Sequence, residues 1–420
     1  MVVKKLLLTS ILLTLTQCLR WAALAEGLIS SSGERPQATV SGALPTNSGG
    51  SNASLRDRSV FPPSDSPPLH NQLLAQLALP LPPLILPDLL LPAYDFPSFN
   101  SQRLDQELQI YSRYLRTVGK PDVLIIGSSR SLQGVDPTAM RDALAKKGYP
   151  NLKIFNFGIN GATAKVINLV LQHILTPDQL PQLIIWADGA RAFNEGRPDP
   201  TYDHIVASAG FKRVQQGERP IPPRMEWQAL AIKAVADKLT NRSSASSLHQ
   251  PIAPDLDATG FQTVSEQYDP DTYYQRYPWV PGEYDGDYTD FHLSGEQAAA
   301  TISAATFARN HNLTLVLVNL PLTADYIKGI RGSYERQFRQ HMQQLAAQQH
   351  FIFCDLSQYP TLMQNRYFAD PSHINRYGAQ AIAIQLAAHP AIPWHMLQPV
   401  ASETNLFKQF VSDLGLRTED

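Results

Sequence analysis

Val123-Leu124-Ile125-Ile126-Gly127-Ser128-Ser129 is the stretch on which the reading of this chain turns. Four apolar residues run without a polar break and stop at a glycine. A strand buried on both faces has this look, and the glycine marks a tight turn at its carboxyl end. The pattern recurs at Ile154-Phe155-Asn156-Phe157, Leu183-Ile184-Ile185-Trp186, Thr314 to Val318 and Phe351-Ile352-Phe353-Cys354. Helical spacing fills the intervals. Leu104, Leu108, Tyr111, Tyr114 and Leu115 predict a helix up to Val118, stopped by Gly119. Asp136 to Lys147 reads as a helix with Asp136 as N-cap and Pro137 in its first turn. Ala164–Leu175, Tyr334–Ala347 and Tyr377–Ala388 are further helices. Short apolar strands alternating with helices predict an α/β protein, a three-layer α/β/α sandwich around a mostly parallel sheet.

The rest of the chain frames that body. It has 420 residues, 43% of them hydrophobic, which is enough for a large core. A formal net charge of −2 gives no basic field for nucleic acid. The two cysteines, Cys18 and Cys354, exclude a disulfide framework and a Cys-rich zinc site. Residues 1–25 carry Lys4 and Lys5, an apolar run from Leu6 to Thr16, and Ala23-Leu24-Ala25. They read as a signal peptide cleaved near Ala25, which places the protein in the periplasm or outside the cell. The alternative is an uncleaved anchor, the one case that would put the protein on a membrane. Residues 26–72 are a Ser/Gly/Pro-rich tether, expected to be disordered, and 73–103 a Pro-rich apolar strap. The folded domain is expected over 104–392, with a polar, aromatic insertion at about 195–300 and a tail at 393–420. A long irregular insertion serves as a lid or binding surface, or is simply solvated; both readings stay open.

Ligands of open parallel sheets sit at the carboxyl ends of the strands. The residues there are Gly127-Ser128-Ser129-Arg130, the turn Asn156 to Gly161, the turn Ala187 to Asn194, and later Asp370-Pro371-Ser372-His373. A serine after the first strand, glycines after the second and a late Asp-x-x-His are the parts of acyl transfer: a nucleophile, backbone donors for an oxyanion, and a base with its orienting carboxylate. Taken alone, Asp370-Pro371 is equally a helix N-cap.

In their order, these blocks resemble the SGNH (GDSL-like) hydrolase superfamily. Gly127-Ser128-Ser129 stands where that superfamily has Gly-Asp-Ser, and Asp370 and His373 match its D-x-x-H. The resemblance covers roughly Leu104 to Ala388. It implies a flavodoxin-like sheet, Ser129 as nucleophile, His373 as base, Asp370 as its partner, and the N–H groups of Ser129 and Gly161 as oxyanion donors. The Gly-Ser-Ser form looks like the envelope branch that includes alginate O-acetylation proteins and the D-alanyl transfer protein of teichoic acids. VLIIGSSRSLQGVDP, IIWADGARAFN and FADPSHINRYGAQAIA look closer still to a secreted family common in cyanobacteria. The third block departs from the pattern. Where the superfamily has Gly-x-Asn-Asp, this chain has Asp188-Gly189-Ala190-Arg191, with no Asn before Asn194. Asn194 reaches back, or Arg191 substitutes, or the oxyanion has two backbone donors only.

The expectation is a secreted Ser-His-Asp esterase or O-acyltransferase acting on acylated carbohydrate or another acyl ester, with envelope acyl-transfer machinery as a partner. Arg130, Asp188, Tyr273 and Trp279 are the expected substrate contacts, since Tyr and Trp faces suit sugar rings. The alternative is a non-catalytic polysaccharide-binding or assembly protein on the same fold. No cofactor is expected. No H-x-x-x-H spacing supports a metal, Gly158-Ile159-Asn160-Gly161 lacks a dinucleotide pattern, and Glu283 to Tyr288 lacks the ligands of a calcium loop. Cys354, on an apolar strand, reads as a packed core residue.

Overall fold

The computed structural model describes residues 96–222, 255–277 and 287–397. The signal, the tether, residues 73–95 of the strap, Trp279 and residues 398–420 lie outside them.

Five strands form one parallel sheet: β1 (Val123–Gly127), β2 (Ile154–Gly158), β3 (Leu183–Asp188), β4 (Thr314–Asn319) and β5 (Ile352–Asp355). Their order is β2-β1-β3-β4-β5, the flavodoxin-like doubly wound arrangement. Residues of β1, β2 and β3 are buried without exception, which is why these strands read as unbroken apolar runs. Alternate residues serve opposite faces. Leu124, Ile126, Phe155, Phe157, Ile184, Trp186 and Leu317 pack in one core layer; Val123, Ile125, Ile185, Val316, Val318 and Cys354 pack in the other.

The first layer is covered by α1 (Gln102–Thr117), α4 (Ala164–Leu169, continued by a π-turn to Ile174), α8 (Glu296–Asn310) and α9 (Ile330–Gln349). The second is covered by α3 (Pro137–Ala145) and α10 (Arg376–Ala387). Asp136 caps α3 as expected, accepting from the N–H groups of Thr138 and Ala139. The three-layer α/β/α sandwich predicted from the alternating pattern is the fold observed. No helix among the described residues is long and apolar enough to cross a membrane.

The folded body reaches further than expected at both ends. Phe99 is fully buried in the strap, and Trp394 and Leu397 are buried beyond residue 392. The insertion is less irregular than its composition suggests. It holds α5 (Pro200–Ala207), α6 (Ala209–Gln215) and α7 (Pro270–Arg276), and its last residues open α8, the crossover from β3 to β4. Helix α8 buries Ala300, Ala304, Ala305 and Ala308. Such small side chains leave a weak apolar stripe, so its periodicity was easy to miss.

Candidate active site

The site stands at the carboxyl edge of the sheet. β1 ends at Gly127, whose φ of 146° suits glycine and where an added Cβ would collide with the Ala187 carbonyl. Ser128 then caps a short helix, α2 (Ser129–Gly134), and Ser129 is its first residue. The sequence gave no sign of α2, because six residues are too few for a periodic pattern.

His373 arrives from the other side, on the loop after β5. Phe368 and Ile374 form an antiparallel bridge that closes this loop, and Thr323 holds its Pro371 carbonyl through Oγ1 at 2.7 Å. Within the loop, Asp370 does two jobs with two oxygens. Oδ1 accepts from the N–H groups of Ser372 (2.7 Å) and His373 (2.8 Å), and Oδ2 accepts from His373 Nδ1 at 2.7 Å. The capping reading and the imidazole-orienting reading therefore hold together. Burial would raise the Asp370 carboxyl, but the His373 hydrogen bond and charge and the two backbone donors outweigh it, leaving it at about 2. An ionised carboxylate only accepts, so the proton between them sits on Nδ1. Nε2 is left as an acceptor, and it lies 3.1 Å from Ser129 Oγ. Ser129, His373 and Asp370 thus form a continuous relay.

Two backbone donors face the same space. The N–H of Ser129 opens a helix and has no intrahelical acceptor. Gly161 adopts a φ of 73° and lies against Thr201, whose Oγ1 would be 2.6 Å from an added Cβ. Neither N–H donates to any acceptor among the described residues. Both residues line a cavity of about 470 Å³ together with Asp370 and His373. The insertion supplies more of its wall through Arg197, Val264, Glu266 and Asp287. A separate cavity of about 250 Å³, between the end of α1 and the start of β2, contains no member of the relay.

Other expected site residues are placed differently. Asn194 is fully buried and donates through Nδ2 to the carbonyls of Asp287 (2.9 Å) and Thr289 (3.0 Å), while Oδ1 accepts from Gly196 and His292. Its amide hydrogens are both engaged in holding the insertion, so it is not the third oxyanion donor. Arg191 does line the cavity, 3.8 Å from Asp287 and stacked over the Tyr326 ring. Arg130 is not a substrate contact. It is 2% exposed and donates to the carbonyls of Leu320 and Pro321. Asp188 is at the cavity floor but only 1% exposed, and both its oxygens are occupied by backbone and side-chain donors of the protein. Tyr273 lies outside the cavity lining and packs edge-on against Tyr268 and Tyr274. Trp279 is outside the described residues. Among those residues no cluster of His, Cys, Asp or Glu is arranged to hold a metal.

Sequence reasoning missed Arg197, Glu266 and Asp287 as cavity residues. Only their membership of a long insertion beside a strand end hinted at this.

No protein-family model matches the chain, and no curated protein matches it. Solved structures similar to it include an acetyl xylan esterase at 12% identity and TM-score 0.32, covering 63% of this chain and 98% of that one. A catalytic mutant of an acetylxylan esterase from Geobacillus stearothermophilus is 13% identical with TM-score 0.34, covering 65% and 95%. A GDSL-like lipase from Bacteroides thetaiotaomicron is 14% identical with TM-score 0.29, covering 66% and 97%. Likenesses this distant carry no argument; the fold and the site stand on the chain's own strands and side chains.

Proposed function

We propose that this protein is a serine esterase or O-acyltransferase, exported from the cytoplasm and acting on acyl esters of envelope or extracellular polysaccharide. The observation that carries the reading is the Ser129–His373–Asp370 relay beside two uncommitted N–H groups. In this reading Ser129 Oγ attacks the acyl carbonyl while His373 Nε2 takes its proton. The oxyanion is bound by the N–H groups of Ser129 and Gly161. As the tetrahedral intermediate collapses, the imidazolium returns the proton to the departing alkoxide. Water or a second hydroxyl then takes the acyl group from Ser129 through the same base. Asp370 holds the ring and stabilises its charged form. With Asn194 engaged elsewhere, Arg191 or no third donor completes the oxyanion site; one such donor is typically worth about 10²–10³ in rate.

Polar lining from Gln133, Asn160, Arg197, Glu266 and Asp287 supports a hydroxyl-rich substrate rather than a lipid. The test is hydrolysis of a small aryl acetate by the parent and by Ser129→Ala. The variant is expected to lose nearly all activity, and equal rates in the two would sink the assignment. Acetylated and de-acetylated oligosaccharides as substrate and acceptor separate hydrolase from transferase. Export is tested by N-terminal sequencing of the native protein: an end near Glu26 supports it, and an intact Met1 end on a membrane-bound protein overturns it.

A further inference from the structure

We infer that Asp188 is the positioning residue of the nucleophile, fixing the turn at Ser128 so that Ser129 points at His373. This rests on the proposed role of Ser129 as nucleophile.

The ladder between β1 and β3 pairs Val123 to Ile126 with Leu183 to Trp186 and stops there. Just beyond it the chain of β1 must turn sharply into α2, with no β3 backbone to hold it. The Asp188 side chain supplies that hold. Oδ2 accepts from Ser128 N–H at 2.8 Å, and Oδ1 accepts from Ser128 Oγ at 3.0 Å and from Gly189 N–H at 3.0 Å. Ser128 passes the constraint on. Its Oγ also accepts from Arg130 N–H, and its carbonyl accepts from the N–H groups of Ser131 and Leu132. The first turn of α2 is therefore built on a residue that Asp188 grips at two atoms, and Ser129 is the next residue along.

Burying a carboxylate here is costly, and burial does push the Asp188 carboxyl above its ordinary range. The positive charge of Arg130, 2% exposed, and the Ser128 and Gly189 donors oppose that rise. The site thus keeps a buried acid whose oxygens face neither solvent nor substrate but the backbone of the nucleophile turn. It also explains why Ser128 N–H takes no part in binding an oxyanion: Asp188 occupies it, and Ser129 N–H remains. Two carboxylates then divide the work. Asp188 sets the nucleophile half of the relay, and Asp370 sets the base half.

The experiment compares the parent with Asp188→Asn and Ser128→Ala. The readouts are the rate of Ser129 labelling by a fluorophosphonate probe, and kcat and KM on an aryl acetate, all per folded molecule. In labelling, Ser129 Oγ displaces fluoride at phosphorus and its proton passes to His373. Asparagine sets an N–H against a Ser128 donor, and misplacing a reacting atom by about 1 Å costs about 10²-fold. We expect labelling and kcat of Asp188→Asn to fall about that much, with KM within about three-fold. Ser128→Ala keeps the N–H contact to Oδ2 and should lose about ten-fold. Parent-like labelling and kcat in folded Asp188→Asn overturn the inference, as does a raised KM at unchanged kcat. If Asp188→Asn does not fold, Ser128→Ala decides by the same criteria. A parent that the probe does not label at Ser129 overturns the proposed function as well, which distinguishes the two failures.

Discussion

Replacing Asp370 by asparagine should flatten the acid side of the protein's stability profile. In the native state the Asp370 carboxyl is held at about 2, below its ordinary 3.8. The gap, at about 1.4 kcal/mol per pH unit, is roughly 2 kcal/mol of stability. The native value is the depressed one, so this contribution is fully present above about pH 4 and is lost as pH falls from there toward about 2. The side chain is one-quarter exposed, so solvent does not screen most of it away. Urea unfolding at a series of pH values between about 5.5 and 3 measures the effect as a difference between parent and variant. The other carboxylates titrate in both proteins and cancel. The parent should lose more stability than Asp370→Asn over that interval, approaching the roughly 2 kcal/mol as pH nears the lower limit. Parallel profiles would refute the assignment of Asp370 as an ionised, multiply hydrogen-bonded partner of His373.

Other outcomes are expected from the same geometry. Ser129→Ala and His373→Ala should each abolish most esterase activity, and the double variant should be little worse than either, because the groups act as one unit; additive losses in kcat would break the relay. Asn194→Ala strips its partners of a fully buried amide and should cost about 1–3 kcal/mol in thermal or urea unfolding. An oxyanion role for Asn194 would instead show as a loss of about 10²–10³ in kcat at unchanged stability. Burial pushes the Cys354 thiol up to about 12, and its side chain is 1% exposed. Iodoacetamide at neutral pH should therefore label the Cys354 peptide only after unfolding, as read by mass spectrometry.

What could be read in advance and what could not divide along a physical line. The five strands were legible because each is buried on both faces and so nearly free of polar residues. Asp370 and His373 were legible because a loop-borne carboxylate can reach the imidazole three residues on. Arg130, Asp188 and Asn194 were each expected to face the ligand because they follow strand ends. Position after a strand does not say which way a side chain turns. All three turn inward, to the carbonyls of Leu320 and Pro321, the turn at Ser128 and the backbone of the insertion. Such contacts link residues far apart in the chain, and local sequence does not encode them. Tyr273 shows the same limit: it has the chemistry for sugar stacking, but its ring packs against other tyrosines.

Ser129 and His373 are 244 positions apart. The strand that carries Ser129 lies inside the sheet, flanked by β2 and β3, while the His373 loop follows β5 at its edge. On the ribosome, Ser129 is made long before its base exists. During refolding, the local turns and helices form ahead of contacts that must close so large a loop. Hydrolytic competence should therefore be the last property the chain acquires. Recovery of turnover after dilution from denaturant would time the docking of β5 and α10, after circular dichroism has already reached its native value.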